Sequence, residues 1–325
     1  MDDMNRKKRS HSVAAILIAA SLFAGSGVAV YSGVRNARVP DDIQDGTMDQ
    51  VADVSAISGK YTSTEVPVSS SDYHNAYGDF SFSNNSNGKR TAYIRFNDGS
   101  KYNGEIDTYG PDGNGNIIYV AGDTYTGEYE DGFRSGTGTY TWANGDKYEG
   151  NWENDEMYGN GKYTWSNGDE LEGVFYANKF DEGTYTLSTD DGSYEFSVED
   201  GEVYSADILL NDDTNYSGDV DDGHLTGDAV IEYSNGDVYE GNVRNAEKNG
   251  TGKYTWSNGA VYNGKWKNGK INGKGTYKYA SSSQGYKLTG TFKNGKPTGT
   301  CKYYKTKSKA YKTTWKNGKC VKVKK

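Results

Sequence analysis

Proline occurs four times, cysteine twice and histidine three times in 325 residues. Two cysteines exclude a disulfide scaffold and a multi-cysteine zinc centre. Leucine is also scarce: there are eight, two of them in one N-terminal apolar run. Helices favour Leu and Ala and penalise Gly, so 43 glycines beside so little Leu argue against a helical protein. What is abundant is the aromatic set, with 29 Tyr, 9 Phe and 6 Trp. That content can bury surface, which argues against a disordered chain. Glycine and tyrosine with few prolines read as many short strands joined by tight turns.

The net charge of -9 hides a segregation. Residues 1–40 carry +4, residues 41–242 carry -33, and residues 243–325 carry +20 with Glu247 as their single acid. An asymmetry of this size bears on partners rather than on fold.

Arg6, Lys7, Lys8 and Arg9 precede an apolar run from Val13 to Tyr31, 19 residues long. A bilayer span needs about 20, and the basic cluster holds its own end on the cytoplasmic side. The same segment also reads as a cleaved signal peptide, with Ala14 to Ala24 as its apolar region and small residues following. Both readings place the rest of the chain outside the cytoplasm. The expected organisation is a basic cytoplasmic segment (1–11), a transmembrane signal-anchor or signal peptide (12–34), a flexible polar linker (35–72) and a repeat array (73–325).

The repeat is visible from Tyr102 onward. Equivalent starts fall at Tyr102, Tyr125, Tyr148, Leu171, Tyr194, Tyr216, Tyr239, Tyr262, Leu288 and Tyr311, mostly 23 residues apart. Two residues after the start stands Gly104, Gly127, Gly150, Gly173, Gly218, Gly241, Gly264 or Gly290. Two residues further on stands an aromatic residue in most copies, such as Trp152 or Trp266. Tyr148, Gly150 and Trp152 alternate with Glu149, Asn151 and Glu153, which gives a strand with an aromatic face and a polar face. Gly161, Tyr163 and Trp165 form a second such strand. NDEMYG between them reads as a hairpin loop, and Asn167-Gly168 after them as a tight hairpin turn. The glycines then lie among the rings, where a missing side chain lets a Tyr or Trp lie across the backbone. Two strands per unit advance a sheet by about 9–10 Å, so ten units predict a ribbon roughly 90–100 Å long.

The pattern Y-x-G-x-W…G-x-G-x-Y-x-W-x-N-G-D resembles the MORN (membrane occupation and recognition nexus) repeat. The resemblance covers residues 100–325 well and 73–101 weakly. The apolar run and the repeat period together predict an all-β, elongated single-layer meander of about ten hairpins following one N-terminal transmembrane helix. The resemblance implies a non-catalytic array for protein or lipid association. The copy from Tyr194 departs from the pattern with Phe196 in place of Gly. The copy from Tyr262 carries the insertion Ala280–Gly285, and the last copy has Thr313 for Gly.

No catalytic constellation stands out. His11, His74 and His224, the last read in a hairpin loop, DDGHLTG, have no His or Cys neighbour at ligand spacing, and surface loop positions suit them better than metal or base roles. The G-x-G pairs (Gly136/Gly138, Gly159/Gly161, Gly250/Gly252, Gly273/Gly275) enter strands, whereas phosphate loops require a strand-to-helix turn. Asp190/Asp191 and Asp212/Asp213 are expected by chance in so acidic a region. Asp112, Asn114 and Asn116 resemble a fragment of a Ca²⁺ loop but lack the distal Glu. Cys301 reads as a ring-face position matching Tyr140 and Tyr277, and Cys320 as a hairpin-loop position. A disulfide between them is chemically allowed outside the cytoplasm, although regular registers leave them far apart.

The leading expectation is a scaffold without enzymatic activity or cofactor, anchored in the membrane with its repeats outside the cytoplasm. Its candidate contact residues for an anionic lipid, an anionic wall polymer or an acidic protein surface are Lys265, Lys267, Lys302, Lys305, Lys307, Lys309 and Lys312. Self-association through the opposed charges is a further option, and nucleic acid is in the wrong compartment. The alternative is a cell-wall or carbohydrate-binding surface protein using its aromatic repeats, which would show exposed rings.

Overall fold

The computed structural model describes residues 73–75, 78–107, 110–280 and 285–324. The expected anchor, signal and linker lie outside these residues. Among the described residues there are twenty-three strands and no helix, so none is long and apolar enough to cross a membrane. Two compact units divide the repeats. Among the described residues one comprises 73–187 and 197–202, and the other 188–196 and 203–324.

In the first unit each strand from Tyr73–Asn75 to Glu170–Tyr176 pairs antiparallel with the next. The second unit repeats this plan from Glu202–Leu210 to Lys319–Lys324. Both are open antiparallel meanders. Strand Lys147–Glu153 shows the reason. Tyr148 and Trp152 are buried while Glu149 and Glu153 are exposed, so one face collects rings and the other meets water.

Tyrosine-on-glycine packing is the unit of the core. Gly150 lies opposite Gly161. A side-chain carbon built at Gly150 would stand 2.5 Å from the Gly161 Cα and 2.6 Å from the Tyr148 hydroxyl. The ring of Tyr148 therefore lies along its own strand over this glycine pair. Its hydroxyl donates to the Asn151 carbonyl at 3.0 Å, which satisfies the one polar atom the ring carries into the core. Tyr102, Tyr125, Tyr216, Tyr239 and Tyr262 make the same bond to the carbonyl three residues on. Trp152 and Trp266 then pack edge-on against Tyr148 and Tyr262. Each indole N–H reaches the carbonyl of Gly138 or Gly252.

The turns differ from the expected ones. NDEMYG is not a loop: Asn154 and Asp155 alone make the turn, and a strand resumes at Glu156. Both turn residues have positive φ, at 51° and 69°. That pair of angles matches the type I′ turn, whose twist suits the flanking strands. Asn167-Gly168 belongs to a longer loop, in which Gly168 N–H donates to Trp165 O and Trp165 N–H to Asp169 O. Only Gly168 has positive φ there, at 92°, as in a type I turn closed by a glycine bulge. The G-x-G glycines lie inside strands with separate roles. Gly161 lies under the Tyr148 ring, while Gly159, with φ of 70°, absorbs the register shift opposite Gly150 and Trp152.

Three further positions are corrected. His224 begins strand His224–Glu232 rather than sitting in a loop. Cys301 is buried on the ring face, but its register matches Gly138 and Gly275 rather than Tyr140 and Tyr277. It can occupy a glycine place because that copy starts with Leu288, which carries no phenol to cover it. A carbon built on Gly290 would instead meet the Cys301 sulfur. Cys320 lies in the strand after the Asn317-Gly318 turn, and both thiols are free. Cys301 pairs with Thr313, and Cys320 pairs with Trp315 on the following strand pair. The two cysteines are thus two strands apart, about 9–10 Å, beyond the reach of a disulfide.

Candidate functional site

The charged rows follow directly from the strand alternation. Trp266 is buried and flanked by exposed Lys265 and Lys267. Lys302, Lys305, Lys307, Lys309 and Lys312 are all exposed as well. All seven candidate lysines therefore face water. The register sets many lysines directly against one another: Lys267 opposite Lys270, Lys278 opposite Lys287, Lys293 opposite Lys296, and Lys316 opposite Lys319. Lys302 faces Lys312, which in turn faces Lys324. None of these is in an ion pair among the described residues. Like charges directly opposite on a sheet are destabilising, so this face is not arranged for stability.

Some of these lysines have local partners. Lys265 donates to Thr251 Oγ1 at 2.7 Å. The Lys287 and Lys302 ammonium groups lie 4.6 and 5.1 Å from the Tyr304 ring centre, and Lys309 lies 5.9 Å from that of Tyr311. Such contacts hold the stems while leaving the charge in solvent.

The ring face carries chemistry that sequence reasoning missed. Arg134 is 1% exposed. Its guanidinium stands 4.3 Å from the Trp152 ring centre and 5.2 Å from that of Tyr140. Its Nε donates to Asp155 Oδ1 at 3.0 Å and its Nη2 to Asp155 O at 2.7 Å. In the second unit Lys248 holds the equivalent register, nine residues after Tyr239. Its Nζ lies 5.0–5.8 Å from the rings of Tyr233, Tyr239, Tyr254 and Trp266 and donates to Tyr233 Oη at 2.8 Å. Burial pulls its pKa down to about 8, partly opposed by Asp237. Other copies place Met157, Leu225 or Ile271 there, so a cation in an apolar register was the available signal.

Asp123, Asp146 and Asp237, each following a turn glycine, cross-link neighbouring copies. Asp146 accepts from Tyr163 Oη at 3.0 Å and from the Ser166 N–H at 2.8 Å. Asp123 does the same with Tyr140 and Ala143, and Asp237 with Tyr254 and Ser257. Burial alone would raise the Asp237 pKa, but the bonds from Tyr254, Ser257 and Asn235 outweigh it and hold the carboxyl below its ordinary value. These groups are engaged in structure.

The Ca²⁺-loop fragment does not assemble as a unit. Asn114 N–H donates to Glu105 Oε2, and the Asn116 amide donates to Tyr125 O and Thr126 Oγ1. Asp112 instead gathers with Asp107 and Asp131, their oxygens within 4.8 Å of one another. Three carboxylates on a surface this acidic do not define a cation site.

Five segments, residues 125–147, 148–170, 239–261, 262–284 and 289–308, match the family model of the MORN repeat. MORN repeats are thus present in both units. No curated protein matches the chain. One solved structure that matches is the SAS-4 (dCPAP) TCP domain in complex with a proline-rich motif of Ana2 (dSTIL) of Drosophila melanogaster. It is 12% identical, over 70% of this chain and 99% of that one, with a TM-score of 0.19, too low to carry an argument.

Proposed function

We propose that the protein is a non-enzymatic repeat scaffold whose basic end, residues 243–325, associates with an anionic surface. MORN repeats support a protein- or lipid-binding array. The observation that carries the reading is the set of facing lysine pairs, Lys267/Lys270, Lys293/Lys296 and Lys316/Lys319. Folding gains nothing from them, whereas an anionic lipid headgroup layer or wall polymer neutralises them at up to about 1 kcal/mol per lysine near the surface. The apolar run at 12–34 tethers the array to the membrane, and the repeats lie outside the cytoplasm. The carbohydrate reading requires the repeat rings to be exposed. Instead Tyr125, Tyr148, Tyr239 and Tyr262 are fully buried.

The test is co-sedimentation of the full chain with vesicles carrying or lacking anionic lipid, and with isolated wall. Replacing Lys267, Lys270, Lys293 and Lys296 by Gln should abolish most of the binding. Binding should also fall steeply as salt rises from about 0.1 M to 1 M, over which the Debye length shrinks from about 10 Å to about 3 Å. Equal binding of both proteins at low salt would refute the proposal.

A further inference from the structure

Tyr176 and Tyr158 break the repeat on its polar face. Tyr176 stands five residues after the copy start at Leu171. The same place holds an acid in Asp107, Glu130, Glu153, Glu199 and Asp221, and a base in Arg244, Lys267, Lys293 and Lys316. Every other copy thus has a charge where this one has a ring. Tyr158 lies across from it, one step beyond the Phe175–Gly159 pair, where the flanking copies have Ser135 and Asp181. The rings are 61% and 38% exposed, with centres 5.2 Å apart and planes tilted by 48°. The core does not need them, because Trp152, Met157 and Phe175 fill the opposite face.

Glu153 and Glu156 face each other across the Asn154–Asp155 turn, beside Tyr158. Both are exposed, and neither has an ion-pair partner among the described residues. Residues 73–187 carry 19 acids against eight bases. Lys179 is exposed across the next turn from Tyr176, so the unpaired negative charge lies on the Tyr158 side of the ring pair, at Glu153 and Glu156.

We infer that the Tyr158–Tyr176 pair docks a basic, extended segment of a partner protein. A lysine or arginine of that segment lies against the rings and is flanked by Glu153 and Glu156. An aromatic face attracts a cation within about 6 Å of its centre, and the two carboxylates add the charge that the sheet leaves unpaired. A neutral sugar would use the rings but leave both carboxylates unmatched, and an anionic ligand would be repelled. The inference is independent of the basic end and does not rest on its binding an anionic surface.

The experiment titrates the full chain with an oligo-lysine and an oligo-arginine peptide near 0.15 M salt, a Debye length of about 8 Å, following tyrosine fluorescence. Tyr176→Glu installs the residue that Glu153 provides one copy earlier, so the fold tolerates it, and circular dichroism checks this. The substitution adds a negative charge. Simple attraction to an acidic surface would make the variant bind the peptides more tightly, whereas the inference predicts binding about tenfold weaker, between the size of an exposed and of a fully desolvated cation–ring contact. Tyr158→Ser, which installs the residue type that Ser135 provides one copy earlier, should weaken binding in the same direction. Unchanged or tighter binding by Tyr176→Glu would overturn the inference. So would displacement of the peptides from the ring pair by a neutral oligosaccharide. Wild-type oligomers that Tyr176→Glu disperses would also overturn it, in favour of a second copy as the occupant.

Discussion

Raising the pH past 10 should unfold this protein abruptly, because its core is built from phenols. In the first unit, burial pushes Tyr119, Tyr125, Tyr129, Tyr140, Tyr148 and Tyr185 well above the ordinary tyrosine value of 10. The unfolded chain loses these protons near pH 10 while the folded chain keeps them. A group whose pKa is raised on folding contributes stability below its unfolded pKa, and this is lost as pH rises toward the folded value. At pH 11 each phenol costs about 1.4 kcal/mol, so six cost about 8 kcal/mol. Allowing for phenols that solvent partly reaches leaves about half of that, still comparable with the roughly 5–15 kcal/mol of a typical domain. The assay is phenolate absorbance against pH, read beside near-ultraviolet circular dichroism. Absorbance should lag behind that of free tyrosine and then jump together with loss of the aromatic dichroism signal. A smooth titration of all 29 tyrosines near pH 10, with the dichroism intact, would show that the rings do not form the core.

Three shorter expectations follow from the same architecture. Gly150→Val should cost about 1–3 kcal/mol or more, since the new side chain meets the Gly161 backbone and the Tyr148 phenol; Glu149→Ala on the polar face should stay within about 0.5 kcal/mol in a urea melt. Lys248 has its pKa lowered to about 8, so between pH 8 and 10 the unfolded chain binds the extra proton and this residue's contribution to stability grows with pH. That contribution reaches up to about 3 kcal/mol, and Lys248→Met should remove the rise. Finally, thiol titration of the native protein should modify exposed Cys320 promptly and buried Cys301 only after denaturant is added; equal rates would contradict the burial of Cys301.

The ring face was readable because its period is two and because glycine two residues after tyrosine has few other uses in a strand. Tyr148, Gly150 and Trp152 announce their side of the sheet without any structure. Turn geometry was not readable. Asn167-Gly168 and Asn268-Gly269 are the same dipeptide, yet Asn268 has φ of 48° and sits in a two-residue turn, while Asn167 belongs to a longer loop. The dipeptide permits both, and pairing between the flanking strands decides. Arg134 and Lys248 escaped notice because their cages are assembled from rings on several strands, a relation that exists only once register is fixed. Cys301 was misplaced because its copy lacks the starting tyrosine that marks the glycine positions.

The facing lysines make salt act on this protein in two opposite senses. Added ions screen Lys267 from Lys270 and Lys316 from Lys319, so the basic strands gain stability as ionic strength rises. The same ions weaken attraction to any anionic surface. A bound polyanion does locally what bulk salt does globally, and it stabilises the fold by linkage to the bound state. The basic end is therefore at its least stable when free in dilute buffer, and a surface that captures it also tightens it.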